Sequence, residues 1–259
     1  GLGGKGQKGG DQARMDVKGK RILVTGSCGH VGRVLVEALL EAGATVVGAD
    51  HNRGAELMVD LTDEGQTREM ARDLLHSWGG LDCLVHCAAL TGQGGGRRAG
   101  WVAPFEKQSV EAFEYSFRVQ AVSSFVLLQE LAPALKDSGR GSVVLLGSIY
   151  GMVAPFMPLY EGEGYASPLG YSATKGAVHQ LVKHFAALLA PEVRVNCLTP
   201  GGLLRGQPEE FIKRYERQVP LGRMGSEEDL IGPTLFLLSD SSAYITGHNL
   251  VVDGGYTVH

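Results

Sequence analysis

Tyr171 and Lys175 form the residue pair whose types and spacing most directly suggest chemistry. They lie four residues apart in a stretch with helical periodicity, so both side chains would share one face of a helix. A tyrosine hydroxyl ordinarily has a pKa of about 10, and a neighbouring ammonium would stabilise the phenolate. Tyr171 could then exchange a proton with a substrate hydroxyl. Ser148, which follows an apolar strand-like run, is placed to hydrogen-bond the reacting oxygen.

A glycine-rich turn over residues 25–32 indicates where a dinucleotide would bind, because it joins an apolar strand to a helix. Glycines let the backbone approach a pyrophosphate, and the helix N-terminus supplies amide donors. Asp50 lies 24 residues beyond Gly26 at the end of the next strand, a spacing that suits a residue holding the adenosine ribose hydroxyls. Its carboxylate would repel a 2′-phosphate, so NAD is predicted rather than NADP, although Arg53 could soften that exclusion. The predicted contacts from the turn are Gly26, Cys28, Gly29, His30, Val31 and Gly32.

Two further segments are expected beside the cofactor. Asp60 and Leu61 follow another apolar stub and could cap the adenine edge. At the end of the next strand, small residues would let the chain pass close to the cofactor, and these predicted contacts are Cys87, Ala88 and Ala89. We interpret His86 as a strand-end histidine held by hydrogen bonds, since no acidic or metal-binding pattern surrounds it. No metal site is predicted.

The elements that would position these residues alternate between apolar strand-like runs and helical runs. Such alternation indicates a parallel sheet covered on both faces. We therefore predict an α/β fold, a single doubly wound Rossmann-type domain over residues 18–259, preceded by a mobile glycine-rich arm over residues 1–17. Strands are predicted over 22–25, 45–49, 83–87, 142–146, 193–198 and 250–252, and helices over 34–40, 67–78, 110–136, 168–189, 208–217 and 227–238.

These motifs, in this order, resemble the short-chain dehydrogenase/reductase family over residues 18–259. The resemblance extends through Asn196-Cys197-Leu198-Thr199-Pro200-Gly201 and the terminal Val252-Asp253-Gly254-Gly255. It implies that Ser148 orients the substrate, that Tyr171 is the acid/base, and that Lys175 lowers the pKa of Tyr171 and holds the nicotinamide ribose. It also implies that Pro200, Gly201 and Gly202 contact the nicotinamide ring.

Four features depart from the usual pattern of that family. His30 stands where a glycine is usual, and the resulting TGxxGxxG spacing is more familiar from extended, sugar-nucleotide-modifying members. The usual Asn-Asn-Ala-Gly run appears as His-Cys-Ala-Ala. Gln120 aligns with the helix asparagine that usually joins the proton relay, which makes it a candidate catalytic residue. Arg205 stands where a threonine usually follows the Pro-Gly loop.

The segment between Ser148 and Tyr171 is longer than is usual in the family and is expected to form a wall of the active site. Its aromatic and acidic side chains, notably Tyr160, Tyr165 and the acids at 161 and 163, suit a polyhydroxylated ligand. A packing or oligomer-contact role is the alternative. The loop also resembles a subgroup found with surface-sugar genes, those of flagellin modification and nonulosonic acid pathways.

Three arginines could also contact a substrate. Arg97 and Arg98 lie in a glycine-rich stretch after the strand predicted over 83–87, on the edge where ligands bind in such sheets. With Arg205 they could clamp a phosphate or a carboxylate. The alternative is that they are solvated loop arginines.

Composition and charge exclude several other classes of protein. The 259 residues are 44% hydrophobic and 20% charged, as in ordinary globular domains, and the net charge of −4 argues against a general nucleic-acid binder. No apolar run approaches the roughly 20 residues needed to cross a bilayer. The four cysteines suggest reduced thiols, and a cytoplasmic location is expected. A homotetramer or dimer is expected because the helices at 110–136 and 168–190 carry more apolar surface than one sheet face covers.

Three functions remain open on the sequence. The leading one is an NAD-dependent oxidoreductase that interconverts a secondary alcohol and a ketone on a polar, sugar-like small molecule. A reductase of acyl or other apolar ketones is the second, which Met152, Phe156 and Met157 would suit. The third is a non-catalytic dinucleotide-binding regulator, suggested by His30 and Gln120, although the intact serine, tyrosine and lysine argue against it.

Overall fold

The computed structural model describes residues 15–91, 96–163 and 165–258. A seven-stranded parallel sheet lies at its centre. In the sheet the strands lie in the order β3-β2-β1-β4-β5-β6-β7, and each neighbouring pair runs parallel. The strands are β1 (Arg21–Thr25), β2 (Thr45–Asp50), β3 (Leu57–Met58), β4 (Cys83–His86), β5 (Gly141–Leu146), β6 (Val193–Pro200) and β7 (Asn249–Val252).

Helices cover both faces of the sheet, because successive side chains of each strand point to opposite sides. Leu23 of β1 packs on the side of the helices over residues 64–78, 123–137 and 169–189, whereas its neighbours Ile22 and Val24 pack on the side of the helices over 30–41 and 231–238. The doubly wound fold predicted from the sequence is therefore confirmed. The helices are α1 (His30–Glu41), α2 (Glu64–Trp78), α3 (Val110–Phe117), α4 (Ser123–Asp137), α5 (Leu169–Leu189), α6 (Glu209–Glu216) and α7 (Ile231–Leu238).

The single helix predicted over residues 110–136 is interrupted. A π-helical turn over Arg118–Val122 joins α3 to α4. The hydroxyl groups of Ser123 and Ser124 donate to the carbonyl oxygens of Val119 and Gln120, at 2.7 Å and 2.5 Å. Such serine side chains compete with the backbone for helix carbonyls, which accounts for the irregular turn.

The N-terminal boundary differs from the prediction. Val17, which we assigned to the mobile arm, is fully buried with residues of β1 and α1. The packed domain therefore includes at least the end of that segment. Residues 1–14 lie outside the described part of the chain, so the mobility of the arm stays a prediction. None of the helices described is both long and apolar enough to span a membrane.

The strand order places a ligand crevice at one edge of the sheet. From β1 the chain moves outward to β2 and β3, and then returns to β4 on the other side of β1. Open α/β sheets bind ligands outside the carboxyl ends of their strands at such a reversal. The segments that follow β1, β2, β4, β5 and β6 all meet there.

Candidate active site

A cleft of about 570 Å³ opens along the carboxyl ends of the strands. It brings together most of the residues that the sequence assigned to a cofactor or to chemistry. Cys28, Gln120 and Tyr165 are not among the lining residues. The predicted residues that line it are Gly26, Gly29, His30, Val31, Gly32, Asp50, Asp60, Leu61, Cys87, Ala88, Ala89, Arg98, Ser148, Tyr160, Tyr171, Lys175, Pro200, Gly201, Gly202 and Arg205.

The β1–α1 turn requires glycine at two positions. A Cβ atom on Gly26, whose φ is +71°, would lie 2.6 Å from the backbone nitrogen of Ala88. A Cβ atom on Gly32 would lie 2.1 Å from the carbonyl oxygen of Gly26. A side chain at 26 would therefore collide with the segment after β4, and one at 32 would collide with the turn itself. Gly29 is the N-cap of α1 and supplies no side-chain acceptor, which leaves first-turn amides directed at the cleft, as a pyrophosphate requires.

Asp50 is held as an acceptor at the end of β2. Its carboxylate is 5% exposed and accepts hydrogen bonds from the backbone N–H of Cys28 at 3.0 Å and from the backbone and side chain of Asn52. Cys28 thus supports the predicted cofactor residue rather than lining the cleft itself. Arg53 is exposed and does not line the cleft, so the described structure gives it no place to offset the charge of Asp50.

His86 has a structural environment. Its Nδ1 lies 2.6 Å from Oγ1 of Thr25, and its Nε2 lies 3.1 Å from Oγ of Ser123. Burial lowers the pKa of His86 to about 4, so the ring is neutral near pH 7. The interpretation of a hydrogen-bonded strand-end histidine is confirmed. Within the described ranges, no group of three or more potential ligands is arranged to hold a metal ion.

Lys175 is buried beside Tyr171. Both residues lie in the first two turns of α5, and Nζ of Lys175 is 5.5 Å from the centroid of the Tyr171 ring. The ammonium donates to the carbonyl oxygen of Leu146, at the end of β5, at 2.6 Å. Burial lowers the pKa of Lys175 to about 8. The side chain of Lys175 is therefore fixed at the carboxyl end of β5, two residues before Ser148.

Tyr171 experiences opposing influences on its pKa. Burial is the largest and raises it, whereas a hydrogen bond with Ser148 and the charge of Arg205 lower it. The protein groups by themselves thus favour the neutral phenol, because removing a phenolate from water is costly. The lowering of the Tyr171 pKa that the sequence led us to expect is therefore not produced by these protein groups alone.

Gln120 does not reach the proposed chemistry through its side chain. It is 1% exposed, lies within the π-helical turn, and its Nε2 has no hydrogen-bond partner among the residues described. Its carbonyl oxygen accepts from Ser124. A catalytic role for its side chain, which the sequence suggested by alignment, has no contact in the structure to support it.

The two acids of the long loop are Glu161 and Glu163. Glu163 forms an ion pair with Arg214 at 2.6 Å, and neither acid of the loop lines the cleft. The described structure therefore offers no contact that supports substrate binding by these carboxylates, and Glu163 is instead paired with an arginine of α6. Tyr165 packs edge-on against Tyr160, with ring centroids 5.9 Å apart, and supports that lining residue.

Two of the three candidate arginines can be placed. Arg98 lines the cleft and donates to the carbonyl oxygen of Thr91 at 3.0 Å. Arg205 also lines it and pairs with Glu227 at 2.7 Å. The side chain of Arg97 lies outside the described part of the chain.

Several lining residues escaped prediction from the sequence. The hydroxyl oxygen of Tyr150 lies 3.2 Å from that of Tyr160, which the sequence did predict, and the hydroxyl of Tyr215 accepts the N–H of Gly202 at 2.5 Å. Gln207 and Phe211 complete this wall. The signal was weak because α6 reads only as an amphipathic helix, and its position over the cleft is a long-range feature of the fold.

Comparison with known proteins gives consistent matches. A family model described as Enoyl-(Acyl carrier protein) reductase matches residues 29–257. The chain is 30% identical to 2,5-dichloro-2,5-cyclohexadiene-1,4-diol dehydrogenase of Sphingobium indicum, over 93% of this chain and 97% of that protein. It is 28% identical to post-translational flagellin modification protein A of Campylobacter coli, over 93% and 99% of the two chains.

A solved structure also resembles this fold closely. It is a short chain dehydrogenase from Leptospira borgpetersenii with bound NAD+, with a TM-score of 0.83 and 32% identity. The match covers 93% of this chain and 94% of that one. The resemblance therefore extends over nearly the whole of both chains.

Proposed function

Because this chain belongs to the short-chain dehydrogenase/reductase family, and is an NAD-dependent oxidoreductase acting on CH–OH groups, we propose that it interconverts a secondary alcohol and a ketone on a polar, sugar-like molecule. Tyr171 is the proposed acid/base. The observation that carries the proposal is the presence of Ser148, Tyr171 and Lys175 in the same cleft as Asp50.

The protein groups divide the proposed proton chemistry between them. NAD, held by Asp50, the amides at the start of α1 and Lys175, would supply the hydride acceptor for oxidation and the hydride donor for reduction. Tyr171 takes the proton of the substrate hydroxyl in the first direction and donates it in the second. Ser148, hydrogen-bonded to Tyr171, holds the reacting oxygen, and the buried ammonium of Lys175 favours the phenolate.

The residues present fit the cofactor from end to end. Asp50 would hold the adenosine ribose, with Asp60 and Leu61 at the adenine edge. The amides at the start of α1 would bind the pyrophosphate. Lys175 would reach the nicotinamide ribose, and the backbone of 200–202 would contact the nicotinamide ring. Both ends of this path line one continuous cleft, which supports the assignment.

The wall of the cleft favours a polar substrate over an apolar ketone. Polar and charged residues line it beside Tyr171, namely Tyr150, Tyr160, Arg98 and Arg205. Met152, Phe156 and Met157, which suggested an acyl substrate, are 47%, 44% and 56% exposed and do not line the cleft. The reductase of apolar ketones therefore loses its main support.

The proposal is tested by following NADH absorbance while the protein is incubated with NAD and a panel of candidate alcohols. We expect reduction of NAD with polyols, sugar acids or sugar phosphates, and little with hydroxyacyl esters. Preference for the esters would establish the second function. Binding of NAD without turnover of any alcohol or of the corresponding ketones would favour the regulator.

Cofactor choice should follow the charge of Asp50. We expect the unmodified protein to bind NAD at least about tenfold more tightly than NADP, which corresponds to about 1.4 kcal/mol. Asp50→Asn keeps one of the two oxygens, which accept separately from Cys28 and Asn52, and removes the charge, so it should narrow the difference between the two affinities. Fluorescence titration with both cofactors measures this. Asp63→Asn, at the exposed cap of α2, is the control and should leave the ratio unchanged; equal affinities in the unmodified protein would contradict the assignment.

We also propose that the chain self-associates as a homotetramer or dimer through the face formed by α3, α4 and α5. Val110, Phe125, Leu169 and Leu188 on these helices are 47% to 73% exposed, more apolar surface than a free helix face usually carries. Sedimentation should show a dimer or tetramer at micromolar concentration, and Phe125→Glu should shift it to smaller species. Met58→Glu, at the edge strand β3, is the control. A monomeric unmodified protein would contradict the proposal.

A further inference from the structure

We propose that the substrate carries an anionic group, a carboxylate or a phosphate, and that the guanidinium of Arg205 binds it inside the cleft. This inference rests on the proposed oxidoreductase function and names the chemical class of its substrate. It depends on how Arg205 is held, on the distribution of charge along the cleft, and on the position of Arg205 relative to Tyr171.

The side chain of Arg205 is held at Nε, while its two terminal nitrogens have no partner among the residues described. Its Nε donates to Glu227 at 2.7 Å, and its backbone N–H donates to Oε1 of Gln207 at 2.7 Å. Gln207 is fixed in turn by the carbonyl oxygen of Leu203 at 2.8 Å. The two terminal nitrogens, Nη1 and Nη2, have no partner among the residues described. This pair matches the two oxygens of a carboxylate or a phosphate, so the guanidinium is preorganised for bidentate binding.

Charges are separated along the cleft. The carboxylates that line it are Asp50, the last residue of β2, and Asp60, shortly after β3. Ser148 follows β5, three strands away from β2 in the sheet, or about 15 Å at the usual strand spacing. The groups with positive charge that line this second half are Arg98, Lys175 and Arg205.

This separation favours an anion at the reactive end. Glu227 is 14% exposed and does not line the cleft. Because it accepts from Nε of Arg205, it orients the guanidinium. Among the described lining residues, no carboxylate stands near Ser148 to repel an anion. A cleft lined by one sign of charge raises the local concentration of the opposite ion.

The position of Arg205 assigns the anion to the substrate rather than to the cofactor. Arg205 follows β6, and its charge is close enough to Tyr171 to lower the pKa of that hydroxyl. The pyrophosphate is expected instead at the start of α1, beyond β1. An anion on Arg205 would therefore lie beside the hydroxyl that reacts.

The test compares molecules that differ only in the anion. D-Gluconate is paired with D-sorbitol, and D-glucose 6-phosphate with D-glucose, and both binding to the enzyme–NADH complex and NAD reduction are measured. We expect the anionic member of at least one pair to bind about ten- to a hundredfold more tightly at low ionic strength, with a loss of preference at high salt. The pair that shows the effect distinguishes a carboxylate from a phosphate.

Three variants separate anion binding from a structural role. Arg205→Met should reduce the affinity for the anionic member of a pair to that for its neutral partner. Glu227→Gln can still accept from Nε and removes a negative charge, so it should keep or increase the preference. Arg223→Met, which removes an exposed partner of Asp229 outside the cleft, is the control and should behave as the unmodified protein.

The outcomes are distinct. Equal binding of neutral and anionic members, a preference that survives in Arg205→Met, or the same loss in Glu227→Gln as in Arg205→Met would overturn the proposal. Turnover of neutral members alone would overturn it while leaving the oxidoreductase function intact. Binding of the anions without oxidation of any substrate would instead contradict the proposed function and support the anion site.

Discussion

Replacing Tyr171 with phenylalanine is expected to lower turnover by about 10²–10⁴-fold or more, while NAD binding stays near that of the unmodified protein. The ring packs with the cluster of Leu90, Trp101 and Ala112, and phenylalanine preserves that packing. The hydroxyl removed is the group proposed to exchange a proton with the substrate oxygen, and general acid–base assistance is typically worth this factor. Steady-state kinetics with NAD and a confirmed substrate, together with NADH titration, measure the two effects separately.

Tyr165→Phe is the matched control for that experiment. Tyr165 is a tyrosine of the long loop that packs on Tyr160 but does not line the cleft, so the loss of its hydroxyl should change turnover little. Ser148→Ala should lie between the two variants, because it removes a hydrogen bond to Tyr171 and to the reacting oxygen but not the acid/base itself. If Tyr171→Phe retains most of its activity, another group transfers the proton and the mechanism proposed here is wrong.

Lys175→Met is expected to impair both turnover and cofactor binding. The substitution removes the ammonium that lies 5.5 Å from the Tyr171 ring and leaves the carbonyl oxygen of Leu146 without its donor. We expect turnover to fall by about 10²-fold and NAD affinity by about tenfold, since one charge is proposed to serve both the phenol and the ribose. A loss in turnover alone would contradict the proposed contact with the ribose.

The pH dependence adds a readout that a packing defect would not change. Oxidation requires the phenolate, so its rate should rise with pH, in the unmodified enzyme through an ionisation well below that of free tyrosine. Burial lowers the pKa of Lys175 to about 8, and below that pH its positive charge favours the phenolate. Removing this charge raises the pKa of Tyr171, so Lys175→Met should move the rising limb to higher pH. Lys183→Met, at an exposed position of the same helix, is the control and should leave the limb in place.

The sequence alone determined the fold and the identity of most groups in the cleft. Apolar strand runs separated by helices predicted the doubly wound sheet because burial on both faces excludes polar alternation. The turn at 25–32, Asp50, Ser148, Tyr171 and Lys175 were predictable because local spacing places each at the end of a strand or the start of a helix. Those positions meet at one edge of any parallel sheet, so no long-range information was needed.

Tertiary structure decided the features that depend on contacts between distant segments. The sequence did not reveal that Arg214 of α6 would take Glu163, or that Glu227 would hold Arg205 by its Nε. It also predicted a lowered pKa for Tyr171 from the spacing of the lysine, whereas burial, the larger influence, depends on how completely the chain excludes water there. Spacing along a helix or a strand is local and can be read from residue types, but ion-pair choice and desolvation are set by segments that only the folded chain brings together.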